Sequence, residues 1–177
     1  MGTDLIRIQD DIRAYFEWSL ERDIDSANRL LSECSRISIT DEIWNEENRE
    51  KTRRALQKKI VRGSITVLGA AAEAIDVDSA VRNNEAIIAA DGAVGVLTES
   101  TRPEDAWDSL ICVVTDGDGD MSHLLLAAEK GVPFVIHAHG DNHEQWRYLL
   151  EALALYKNPI VLTHQTPLPI SGMHNPG

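Results

Sequence analysis

Along residues 4 to 62 the apolar positions recur at spacings of three and four, the period of amphipathic helices. Leu5, Ile8, Ile12, Tyr15 and Phe16 form a first stripe. Ile24, Ala27, Leu30, Leu31 and Cys34 mark a second helix from about Asp23 to Ser35, with Asp23 or Asp25 as its cap. A third runs from about Asp41 to Arg62, with Glu46, Glu47 and Glu50 early and Lys58, Lys59 and Arg62 late, an order that complements the helix dipole. This region, residues 1–62, carries no constellation of catalytic groups and reads as a helical subdomain that packs or self-associates.

The pattern changes at Gly63. Short apolar runs now alternate with helical stretches, which is the signature of βαβ units. The runs are Ile65–Leu68, Ala86–Ala89, Leu110–Val114, Phe134–Ile136 and Ile160–Leu162. They do not alternate with polar residues, as expected of strands covered on both faces. Val94–Thr98 is read as helical, because parallel strands need a crossover there. Ser122–Lys130 and Asn142–Tyr156 are further helices, the latter with Trp146, Leu149, Leu150, Leu153 and Ala154 as its stripe. No element is expected after Pro167. The predicted fold is α/β: a mainly parallel, Rossmann-like sheet over residues 63–177, sandwiched by helices and preceded by the helical region.

Each run gives way to a polar cluster. The five runs end in Gly69–Ala70–Ala71, in Ala90–Asp91–Gly92–Ala93, in Thr115–Asp116–Gly117–Asp118–Gly119–Asp120, in His137–Ala138–His139–Gly140–Asp141–Asn142, and in Thr163–His164–Gln165–Thr166. Ligands of open α/β sheets bind outside the carboxyl ends of the strands, so these clusters predict one site on one edge. Burying alternating aspartates without a cation costs several kcal/mol, and their oxygens suit Mg²⁺ or Ca²⁺. Counted from Asp116, a calcium loop wants Gly at its sixth position and Glu at its twelfth; Met121 and Ala127 stand there instead. His137-x-His139-x-Asp141 also invites a transition-metal reading. The first turn, Gly69–Glu73, fits neither Gly-x-Gly-x-x-Gly nor the P-loop pattern.

Composition narrows the partners. The net charge of −12 argues against nucleic acid and anionic membranes as partners, and directs any polyphosphate chemistry through divalent cations. The 43% of hydrophobic residues is globular, and no apolar run approaches the ~18 residues of a membrane span. The N-terminus has no apolar h-region of a signal peptide. With two cysteines, of which Cys112 lies in an apolar run, a reducing, cytoplasmic setting is expected.

Ala-Asp-Gly-Ala at 90–93, Val-Thr-Asp-Gly-Asp-Gly at 114–119 and His-Ala-His-Gly-Asp-Asn at 137–142 resemble the archaeal 6-hydroxymethyl-7,8-dihydropterin pyrophosphokinase family. That family is related in fold to the catalytic domain of thiamin pyrophosphokinase, and the resemblance runs from about Trp18 onward. It implies Mg²⁺-dependent transfer of diphosphate from ATP to a pterin alcohol, releasing AMP. Asp91, Asp116 and Asp118 are implied as metal ligands. Asp116, Asp118, Asp141 and His139 are the implied catalytic groups, with Asp141 or His139 orienting or deprotonating the hydroxyl. Gly69, Asp91, Gly92, His137 and Asn142 are the expected nucleotide contacts. The family's first turn is of the Gly-Ala-Gly-Pro-Ser type, where this chain has Gly-Ala-Ala-Ala-Glu. The remaining readings are a thiamin-type pyrophosphokinase acting on another alcohol, a metal-dependent hydrolase using His137, His139 and Asp141, and a non-catalytic nucleotide-binding protein.

Overall fold

The computed structural model describes residues 3–61, 63–140 and 143–174. Three helices, α1 (Thr3–Phe16), α2 (Leu20–Asp41) and α3 (Glu46–Ile60), precede five strands. The strands are β1 (Ile65–Leu68), β2 (Ala86–Ala90), β3 (Leu110–Thr115), β4 (Phe134–Ala138) and β5 (Ile160–His164). They form one sheet in the order β1-β2-β3-β4-β5, and every pairing is parallel. The crossovers are α4 (Ala74–Arg82), a 3₁₀ helix (Asp91–Glu99) followed by α5 (Pro103–Ser109), α6 (Met121–Glu129) and α7 (His143–Leu155).

The two sheet faces are covered unequally. Leu68, Ile87, Ala89, Phe134, Ile136 and Leu162 belong to one core, with side chains of α2, α4, α5, α6 and α7. The opposite face is smaller. Ile111, Cys112 and Val161 pack there against Leu56 of α3. A register shift at Ile87/Ile88 lets β3 place Ile111 and Cys112 together on that second face. At the β1 edge Val67 is 66% exposed, so the expectation of full cover on both faces fails for that strand.

Several helix limits differ from the sequence reading. Helix α2 begins before Asp23 and Asp25, so neither caps it; the Ser19 hydroxyl accepts from Arg22 N instead. Asp23 is buried and pairs with Arg13. Arg13 is buried while Ile8, Ile12, Tyr15 and Phe16 face solvent, so the apolar stripe of α1 is not its packed face. Asn45 caps α3 by accepting from Asn48 N at 2.8 Å, which sets its start later than Asp41. Arg62 falls outside the described residues. Val94–Thr98 is helical but 3₁₀, and α5 has no counterpart in the sequence reading. The segment after Pro167 also packs. His174 forms a parallel bridge to Thr163, donating to Leu162 O at 2.9 Å, and Met173 is buried. Among the described residues no helix is long and apolar enough to cross a membrane.

Candidate functional site

The site is built where β2 and β3 end side by side. Asp91 leaves β2 with φ 47°, a left-handed conformation rare for a non-glycine residue and enriched at functional sites. Thr115 closes β3, and its hydroxyl accepts from Gly117 N at 2.9 Å. Gly117 then turns with φ 91°; a Cβ there would stand 2.7 Å from the Trp146 backbone. Gly119 passes so close to the β2 turn that a Cβ would sit 2.5 Å from Gly92 N and 2.8 Å from Asp91 Cβ. Two glycines thus press the aspartate loop against Asp91.

The result is a carboxylate cluster. One oxygen from each of Asp91, Asp116 and Asp118 lies within 4.8 Å of the others. Asp120 acts elsewhere. Its side chain accepts from Ser122 N at 2.9 Å and caps α6. Burial raises the Asp91 carboxyl, and the Asp116 charge adds to the effect. Asp118 is raised by its hydrogen bond with Asp116, by burial and by the neighbouring charges. For Asp116 burial also acts upward, but hydrogen bonds from His139 and Asp118 outweigh it and hold the carboxyl low. Asp91 Oδ1 is buried and accepts no hydrogen bond. A carboxylate with one buried, unbonded oxygen beside two further carboxylates fits a divalent cation.

His139, just past β4, bonds through Nε2 to Asp116 Oδ2 at 2.6 Å. With Asp116 ionised, Nε2–H is the donor, and Nδ1 takes no part in that bond. His137 lies deeper. Its Nδ1 is 3.0 Å from Thr163 Oγ1, whose own proton goes to Ile136 O at 3.3 Å, so Nδ1–H donates to the hydroxyl. Burial, and then the nearby His139, push the His137 imidazole below its ordinary range. The two rings are 5.9 Å apart. Each has a protein partner, and among the described residues the candidate metal cluster is all carboxylate. Asp141 and Asn142 lie outside the described residues.

A cleft of about 950 Å³ opens over the ends of β1, β2 and β3. Asp91, Gly92 and Asp118 line it; from the first turn, Ala70, Ala72 and Glu73 do so rather than Gly69. Glu73, Asp91, Glu99, Asp118 and Asp120 give this cleft five acids, and no Lys or Arg is among its described lining. A polyphosphate entering such a cleft needs cations. His123 also faces the cleft, with Nδ1 3.0 Å from Gly92 O. Sequence reasoning missed it, because it lies on the first turn of a helix with no recognisable spacing to the acids.

Sequence reasoning also missed the brace behind His139. Asp23 Oδ1 accepts from Gly140 N at 2.6 Å, Ser26 Oγ donates to His139 O at 3.4 Å, and Arg13 donates to Gln165 O at 3.0 Å while pairing with Asp23. The first two helices therefore hold the β4 and β5 loops. The available signal was an arginine beside an apolar stripe and an aspartate inside a helical run.

Fold and cluster together define an all-parallel α/β protein with a carboxylate centre at the C-terminal edge of its sheet. No family model matches the chain. Over 81 residues it is 38% identical to the 6-hydroxymethyl-7,8-dihydropterin pyrophosphokinase of Methanothermobacter thermautotrophicus. The match covers 46% of this chain and 31% of that relative's length.

Proposed function

We propose that this protein transfers diphosphate from Mg-ATP to the hydroxyl of 6-hydroxymethyl-7,8-dihydropterin, releasing AMP, as a cytoplasmic step of pterin cofactor synthesis. The observation that carries the reading is the three-carboxylate cluster beside an acidic cleft of nucleotide size. The partial relative supplies the substrate class.

In this reading Asp91, Asp116 and Asp118 hold Mg²⁺, which when bound neutralises the polyphosphate in a cleft of negative charge. Gly69, Gly92, His137 and Asn142 are assigned to the nucleotide, Gly69 by supporting the first turn. The acceptor oxygen attacks the β-phosphorus. An O–P bond forms, the bond from the β-phosphorus to the α,β-bridging oxygen breaks, and AMP leaves with that oxygen. The hydroxyl proton goes to His139 Nδ1 or to Asp141. Asp116 orients His139 for this through the 2.6 Å bond. The sheet is assigned to the Rossmann-like, thiamin pyrophosphokinase-like group. Residues 63–177 carry the catalytic groups and residues 1–62 form a helical region that braces them, whose exposed Ile8, Ile12 and Tyr15 support homo-oligomerisation.

The test is AMP release from Mg-ATP with and without the pterin. Pterin-dependent AMP that disappears in Asp116→Asn is the expected result. Folded wild-type protein that makes no AMP with the pterin would defeat the proposal, as would an unimpaired Asp116→Asn.

A further inference from the structure

A second pocket, of about 320 Å³, lies on the other side of the carboxylate cluster. Its wall joins the α1–α2 corner (Trp18, Ser19, Arg22, Asp23) to the ends of β4 and β5 (His139, Gly140, Gln165). We propose that this pocket is the acceptor subsite and takes a flat heteroaromatic ring carrying the reacting hydroxymethyl arm. The proposal rests on the diphosphotransfer reading above and adds where the acceptor binds.

The position of the pocket suits an acceptor. The large cleft sits over β1 to β3 and this pocket over β4 and β5, in a sheet whose strands run in simple order. Asp116, at the end of the central strand, connects the two sides through His139, which lines the pocket. Displacement at phosphorus needs the attacking and leaving oxygens on opposite sides. A donor in the large cleft and an acceptor in the small pocket meet that requirement at the carboxylates.

The wall suits a flat ring. Trp18 is 52% exposed and stacks on Phe16, with centroids 5.1 Å apart and planes 20° from parallel. Glu17, at φ 54°, turns the chain between the helices and sets Trp18 at the rim. An indole held by another ring offers a face for stacking a flat heterocycle. Ser19, Arg22 and Gln165 make part of the wall polar, the Gln165 side chain also bonding His137. The volume falls at the low end of the roughly 300–1,000 Å³ of small-molecule sites, too small for a nucleotide beside the far larger cleft.

The pocket is also braced. Asp23 is buried, paired with Arg13, and accepts from Gly140 N, so the pocket floor is tied to the loop that carries His139. A pocket fixed to the catalytic loop positions its occupant relative to the cluster.

The experiment is steady-state AMP release with Mg-ATP and 6-hydroxymethyl-7,8-dihydropterin as probes, on wild type, Trp18→Ala, Trp18→Phe and Ile75→Trp. Ile75 lines the large cleft and is exposed, so the bulky change tests that cleft without touching the core. Trp18→Ala is expected to raise the pterin KM about tenfold, the scale of losing one ring stack, with the Mg-ATP KM unchanged and Trp18→Phe largely restored. Ile75→Trp is expected to raise the Mg-ATP KM alone. An unchanged pterin KM in Trp18→Ala, or a pterin KM that responds only to Ile75→Trp, overturns the subsite and leaves the reaction standing. If wild type makes no AMP, the reaction fails separately. Calorimetric titration of the pterin with Mg²⁺ present then decides the subsite: binding weakened by Trp18→Ala supports it, and binding that Trp18→Ala leaves unchanged, or no binding to wild type, overturns it.

Discussion

Asp118→Asn is expected to separate stability from function. Asp118 is exposed, yet its carboxyl is raised by Asp116 and by neighbouring charge. Two unit charges 4.8 Å apart, the outer spacing of the cluster, repel by about 3.5 kcal/mol at an effective dielectric of about 20 and by about 1 kcal/mol in bulk water. Solvent reaches Asp118, so the lower figure applies. The backbone bond from Asp118 N to Asp116 Oδ1 survives the substitution, and the new amide can donate the side-chain hydrogen bond to Asp116 that the Asp118 carboxyl makes. Without metal, the variant should therefore be more stable than wild type by about 1 kcal/mol, or about 2–4 °C in a chain of this size. With Mg²⁺ the order reverses. At 100 times its Kd the ion stabilises wild type by about 2.7 kcal/mol, which is a rise of about 5–11 °C. If losing one ligand carboxylate weakens binding about 100-fold, as much as the largest loss seen for groups that only support a ligand, the variant stands near its Kd and gains about 0.4 kcal/mol. The assay is thermal unfolding by circular dichroism in EDTA and in MgCl₂. A variant less stable than wild type in EDTA, or one with an undiminished Mg²⁺ shift, would refute the cation site.

Gly119→Ala drives a methyl into the Gly92 and Asp91 backbone region; turnover should fall at least 100-fold at a stability cost of about 1–3 kcal/mol, read by AMP release and urea melts. Asp23→Ala leaves Arg13 buried and uncompensated, so urea unfolding should show a loss of about 3–5 kcal/mol; a loss under about 1 kcal/mol, the scale of an exposed pair, would show that the pair is not holding the α1–α2 corner. His137, His164 and His174 are all lowered, burial first in each case. A depressed imidazole contributes its stability fully above the ordinary value near 6.5 and loses it as pH falls. Denaturant unfolding should therefore show lower stability at about pH 5.5 than at about pH 7.5, and the opposite trend would contradict the burial assigned to these rings. Asp91 and Asp118 hold protons to higher pH than ordinary carboxylates, so the Mg²⁺-induced thermal shift should shrink between about pH 7.5 and about pH 5; a constant shift would argue against those two as ligands.

The hydrophobic pattern located all five strands, because buried parallel strands are short, β-rich and bounded by turns. It also put Asp91, Asp116 and Asp118 at strand ends, which the fold brings together. It failed where local signals are ambiguous. Arg13 and Asp23 look like surface charges in sequence and become a buried pair only when α1 and α2 close on the β4 and β5 loops. The stripe of Ile8, Ile12, Tyr15 and Phe16 has helical period and yet faces solvent, since period identifies a face without saying what meets it.

The sequence by itself therefore determined the α/β class, the parallel sheet and the edge that carries the acids. These come from strand periodicity and from the residues that end each strand, which are local properties of the chain. The motif resemblance already singled out Asp91, Asp116 and Asp118, and only the tertiary structure decided how closely they meet, that Asp120 caps a helix instead, that His139 joins Asp116, and that two pockets flank the cluster. Those facts depend on strand order and on glycine-mediated contact between loops far apart in the chain. Sequence spacing is blind to such contacts, because it records distance along the chain and not across the sheet.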